Sequence, residues 1–235
     1  VRKRFAPSSK ALSNTAVAAA FRGSLDAAAF PPCKAWRTAS PVLFDSDWQG
    51  KNPDPHRQTE VRLLWTSEFL YVKFVARFRC ITVFDDADAG GRRDKLWDRD
   101  VAEVFLQPDP QQPRRYKEFE VSPNGFWIDL EIADGALQHI KSGLQRRVFI
   151  DEPKKTWTAE LAIPMKSLTQ TFAPVAVWRA NFFRVEGPTE PRFYSSWQST
   201  NTPQPNFHVP DRFGYLKFKP MPETKPRKKK PSQSR

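Results

Sequence analysis

Lys95–Pro108, KLWDRDVAEVFLQP, is the stretch on which the reading of this chain turns. From Val101 the residues alternate. Ala102, Val104 and Leu106 fall on one side, Val101, Glu103, Phe105 and Gln107 on the other. A period of two is that of a half-buried strand. Trp97 stands just ahead of it, among Asp98, Asp100 and Glu103. A flat ring can cover the apolar C–H face of a pyranose while carboxylates accept bonds from its hydroxyls. The same residues also suit a tryptophan packed on the body with solvated acids around it.

The same alternation spreads outward from this strand. Thr59–Trp65 and Phe69–Phe78 form a hairpin about Thr66-Ser67-Glu68, preceded by a short strand over Pro41–Asp45. Tyr116–Val121 and Phe126–Ile132 flank Pro123-Asn124-Gly125, whose Asn-Gly is a hairpin turn signal. Acids recur on one face at Glu103, Glu118, Glu120, Asp129 and Glu131. A buried acid without a partner is costly, so this face is expected to meet solvent or a ligand. Gln145–Ile150 pairs with Trp157–Ile163, a helical turn follows over Pro164–Leu168, and Val177–Val185, Tyr194–Gln198 and Gly214–Phe218 are the last strands. About ten short strands separated by turns predict an all-β fold, an antiparallel β-sandwich of immunoglobulin-like or jelly-roll-like type.

Composition agrees with this: 22 prolines, 9 glycines, 19 phenylalanines and 8 tryptophans suit strands and ordered loops better than helices. The net charge of +12 is concentrated at the ends. Residues 1–10 hold four basic residues, and 217–235 hold eight against the single Glu223, which leaves +1 for residues 11–216. A nucleic-acid-binding domain would carry a basic face of its own, so nucleic acid is not the expected partner. No apolar run is long enough to span a membrane. Residues 1–40 read as an irregular lead-in, of which 1–24 lie outside the sandwich, with Trp36 plugging one end of the core. Arg2-Lys3-Arg4 and the short apolar Ala16–Phe21 make a weak signal peptide or none. Residues 220–235, rich in lysine, proline and serine, read as a disordered basic tail. Cys33 and Cys80 have no metal-ligand spacing and are expected as two buried free thiols, or as one disulfide in an exported protein.

Taken in order, several pieces resemble one family: VRLLW at 61–65 with LYV at 70–72, LWDRDVAEVF at 96–105, and WTAELAIP at 157–164. WRANF at 178–182, Ser196-Trp197, and FHVP at 207–210 with FGYL at 213–216 complete the set. Together, over about residues 25–219, they resemble the family 9 carbohydrate-binding module and its free-standing bacterial relatives. The resemblance implies a non-catalytic β-sandwich that clamps a sugar between two aromatic rings, is associated with glycan-degrading enzymes, and in some members holds structural calcium. It places Trp97 on the first clamp position and Glu103 on a polar contact. Glu120 stands where an arginine can serve, exchanging a cationic donor for an acceptor. The second clamp is expected within NTPQPNFH at 201–208, where Asn201, Phe207 and His208 are the contacts and no tryptophan occurs. Trp197 and Arg184 are second-tier contacts that also suit core packing. The resemblance implies a place outside the cytoplasm, extracellular or periplasmic, and a monomer is expected.

Four other readings bear on chemistry. Asp85, Asp86 and Asp88 supply oxygen ligands of the kind calcium takes, but without the EF-hand glycine and glutamate pattern they read better as a solvated loop. A glycosidase needs two carboxylates flanking the scissile bond, and acids such as Glu103 and Glu120 are too abundant here for that to be a signal. Haem would need axial ligands from His56, His139, His208, Met165 or Met221, which show no pairing. The serious rival is an adaptor sandwich that has kept the fold and lost the sugar.

Overall fold

The structure is a computed structural model that describes residues 13–21 and 30–220. The basic tail beyond Pro220, Met221, and residues 1–12 and 22–29 of the expected lead-in lie outside the described residues. The chain opens with β1 (Thr15–Ala20), β2 (Val42–Phe44), β3 (Thr59–Trp65) and β4 (Phe69–Arg77). An antiparallel meander follows, of β5 (Val101–Gln107), β6 (Arg115–Val121), β7 (Trp127–Ala133) and β8 (Ala136–His139). Then come β9 (Gln145–Asp151), β10 (Thr156–Pro164), the one-turn α1 (Met165–Leu168), β11 (Val177–Glu186), β12 (Phe193–Ser196) and β13 (Gly214–Lys219).

These strands are hydrogen-bonded in the order β8-β7-β6-β5-β11-β13-β1-β3-β4-β10-β9, with β2 on β3 and β12 on β11. The sheet curls on itself, so that β5, β6, β11 and β13 face β3, β4 and β10 as the two layers of a sandwich. Ala102, Val104, Leu106, Phe119 and Phe182 from one layer meet Leu63, Val72, Phe74, Trp157 and Leu161 from the other. Phe74 and Phe182 touch edge to face across the gap, at 6.3 Å between centroids. Each such side chain, taken fully out of water, contributes about 1.5–3 kcal/mol.

The sandwich is the expected fold, with two amendments. Among the described residues thirteen strands replace about ten, and the sheet is mixed, because β1 runs parallel to both β13 and β3. β1 lies inside the expected irregular lead-in. Its sequence TAVAAA lacks strand-forming bulk, and it becomes a strand because its neighbours offer two ladders at once. Trp36 is buried, but it does not plug an end of the main core: it packs against Leu64 and Tyr71 in a separate cluster on the outer face of the β3–β4 layer. The two cysteines are free but exposed, not buried.

β5 differs from the half-buried strand its alternation suggests, since every one of its residues is buried. Its second face is covered by a smaller core of Val101, Phe105, Tyr116, Ile128, Leu130, Phe183 and Val185, roofed by Leu96, Phe207 and Phe213 from three loops. Glu103, Glu118 and Glu120 therefore lie under a roof and not in solvent, whereas Asp129 and Glu131, expected on the same face, stand opposite Phe119 and Lys117 and so fall on the other face of the β6–β7 pair.

Candidate functional site

Lys95, in the left-handed region at φ 53°, reverses the chain ahead of a 3-10 turn over Leu96–Asp98. Leu96 enters the small core and leaves Trp97 half-buried at its rim. Arg192, from the loop before β12, fixes this turn: its Nη1 donates to the Trp97 carbonyl at 2.8 Å. The same guanidinium donates to the Tyr194 hydroxyl at 2.6 Å and to Glu190 at 3.0 Å, and Tyr194 in turn donates to Glu190 at 2.5 Å. Trp97, Arg192, Tyr194, Pro205, Asn206, Phe207 and His208 surround a pocket of about 270 Å³, with Glu103, Glu118 and Val185 at its base.

Phe207 is a fixed part of this wall. It stacks on Phe183 at 4.2 Å, 13° from parallel, and only 8% of it is exposed. His208 remains half-exposed; its Nδ1 lies 2.9 Å from the Tyr116 hydroxyl and 4.0 Å from Glu118. Asn201 stands apart: it is exposed, in a left-handed turn at φ 56°, and does not line the pocket. Asn206 lines it instead, its Oδ1 accepting the His208 amide at 2.9 Å. Trp197 is core, packed on Phe182 with its indole N–H on the Ser13 carbonyl. Arg184 is core as well, fully buried with Glu186 at 3.0 Å and stacked over Trp157.

Below the pocket is the chemistry that the alternation placed on one face. Glu103 and Glu120 are direct cross-strand partners on β5 and β6, and Glu118 is two residues along β6. All three are at most 2% exposed, and one carboxylate oxygen of each lies within 4.8 Å of the others. No described donor reaches Glu103 Oε1, Glu118 Oε2 or either oxygen of Glu120. Burial, and then the Glu118 charge, push Glu103 well above the usual carboxylate range, against a modest pull from Arg192. Burial and the charge of Glu103 do the same to Glu120. Glu118 is raised by burial and eased by Glu120 and His208.

The loop acids form no comparable group. Asp88 accepts the amides of Gly90 and Arg92, Asp86 pairs with Arg93 at 3.2 Å, and Asp85 is exposed. Asp129 is held by Arg92 and Ser142, and Glu131 by Arg115 and Lys117. Of the candidate haem ligands, Met165 is buried under the main core, while His56, His139 and His208 are exposed. A larger cleft of about 460 Å³, between Pro108–Lys117 and Lys166–Gln170, is lined by polar surface side chains around Tyr116 and Leu168. It lacks the buried, unpartnered groups of the Trp97 pocket.

The fold and this pocket define a β-sandwich module with an aromatic-walled recess on one face. The chain belongs to the carbohydrate family 9 binding domain-like family, whose match spans residues 33–220. It is 27% identical over 194 residues to an extracellular protein of Arthroderma benhamiae, covering 75% of this chain and 85% of that one. A candidate carbohydrate-binding protein from Bacteroides uniformis superposes with a TM-score of 0.68 at 16% identity, over 87% of this chain and 99% of its own. A family 9 module from Caldicellulosiruptor kristjanssonii, solved with cellotriose, gives 0.63 at 13% identity over 89% and 95% of the two chains.

Proposed function

We propose that this protein binds a saccharide without turning it over, at the Trp97 pocket and outside the cytoplasm, as an accessory to glycan breakdown. The carrying observation is the pairing of a half-buried indole with polar groups at one recess: Trp97 on the rim, Arg192 and Asn206 on the walls, Glu103 and Glu118 at the base. The indole offers a stacking face and the others offer donors and acceptors in fixed positions, which is what a polyhydroxylated ring requires. The family, and the sugars held by the C. kristjanssonii module, support the ligand class. The extracellular relative supports the location.

Calorimetric titration with cello-, xylo- and manno-oligosaccharides tests the reading, with Trp97→Ala alongside. Saturable binding that the variant loses, its circular dichroism unchanged, is expected. Turnover of aryl glycosides abolished by Glu103→Gln would instead make the protein an enzyme. One observation favours the adaptor reading: Phe207, the ring at the expected second clamp, is spent on Phe183. Absence of heat with every glycan would decide for the adaptor.

A further inference from the structure

We propose that Glu103, Glu118 and Glu120 hold a divalent cation of the calcium type at the base of the Trp97 pocket. Three carboxylates converge there with oxygens within 4.8 Å of one another. Calcium binds oxygen at about 2.3–2.6 Å, so ligands on opposite sides of one ion stand about 5 Å apart, and this spacing suits a shared ion.

The second observation is the state of those oxygens. Glu120 is fully buried, both of its oxygens lack any described donor, and Glu103 and Glu118 each leave one oxygen in the same condition. Like charges directly opposite on paired strands are destabilising, and Glu103 faces Glu120 across the ladder. Buried charge of one sign calls for a counter-charge. Arg192 does not supply it, because its guanidinium is committed to Trp97, Tyr194 and Glu190. Once ionised around a bound cation the three carboxylates carry three negative charges, of which an ammonium group would offset one and a divalent ion two. Magnesium keeps several of its waters, so an enclosed, all-carboxylate floor favours calcium.

Glu103 and Glu118 also line the pocket, which gives the ion a way in and leaves its outer coordination positions facing the recess. Resting on the saccharide reading, those positions are where vicinal hydroxyls would bind, making sugar affinity calcium-dependent. The site is separate from the Asp85–Asp88 loop, whose acids Asp86 and Asp88 already bind the loop's own donors.

The test needs no sugar, so it stands or falls apart from the saccharide reading. The full chain is stripped with chelator and titrated with calcium chloride by calorimetry, with thermal melts run in parallel. One saturable site per chain and a melting temperature that rises with calcium are expected. Glu118→Gln and Glu120→Gln should each bind at least about tenfold more weakly, since affinity follows ligand charge. Both variants should melt, metal-free, at or above the wild-type temperature, because each removes one of three crowded, buried carboxyl groups. Absence of calcium heat and of any melting shift in the wild type would overturn the proposal. Binding that both variants retain would overturn it as well, by placing the ion elsewhere.

Discussion

Trp97 and Phe207 are both aromatic walls of one pocket, yet they play opposite parts. Phe207 is sealed against Phe183, so Phe207→Ala opens a cavity and should cost about 3–5 kcal/mol in urea unfolding. Trp97 is half-exposed and contributes mostly a surface, so Trp97→Ala should cost less than half as much while removing the stacking face. Arg192 joins the two walls through the Trp97 carbonyl and the Tyr194 hydroxyl. A lysine keeps the charge but cannot hold three acceptors with one rigid fork. Arg192→Lys is therefore expected to weaken saccharide binding about tenfold, about 1.4 kcal/mol, in the same calorimetric titration.

Among the elements, β13 leaves no room for a side chain at its first residue. A Cβ added at Gly214 would come within 2.6 Å of the Trp197 ring and 2.8 Å of the Asn14 carbonyl. The carbonyl is backbone and cannot yield, so Gly214→Ala should cost about 1–3 kcal/mol, seen as a melting temperature lower by about 3–10 °C. The β6–β7 pair gives a pH prediction. Although burial acts against it, bonds from Arg115 and Lys117 hold Glu131 below the usual carboxylate range. A carboxylate depressed on folding stabilises above its unfolded value of about 4.3 and loses that contribution as pH falls through the folded one. The stability difference between wild type and Glu131→Gln should thus be constant at neutral pH and shrink steadily below about pH 4 in chemical unfolding.

The strands with bulky alternating residues, such as β3, β4 and β7, are legible because their pattern largely follows burial. β1 is not, since TAVAAA carries no such pattern and depends on two neighbours far along the chain. The pocket divides the same way. Trp97 and Glu103 announce themselves beside one strand. Arg192 and Asn206 reach the pocket from loops, and Tyr194 from β12, all far along the chain from Trp97, and no local period marks their place in it. The meeting of Glu118 with Glu103 needed the β5–β6 register, which alternation alone leaves open.

For the molecule as a whole, the unbroken ladder from β8 to β9 predicts one cooperative unit. Scanning calorimetry should give a single transition whose calorimetric and van't Hoff enthalpies agree. The charge is distributed differently from the fold: residues 11–216 carry +1 of the total +12. A chain ending at residue 219 loses six basic residues and Glu223, and should leave a cation-exchange column at lower salt than the full chain, with its saccharide affinity unchanged.

The position of β1 between β13 and β3 also sets a timetable for biosynthesis. The ribosome releases Thr15–Ala20 early, while Gly214–Lys219 emerges only after almost all the rest of the described chain. Until then the edge of β11 that will receive β13, and the edge of β1 that will meet it, stay open to other chains. A nascent chain stalled before Gly214 would carry both layers of the sandwich and still lack its seam. Slow translation near the end, or a truncation there, would expose the protein to aggregation more than the same defect in a surface loop.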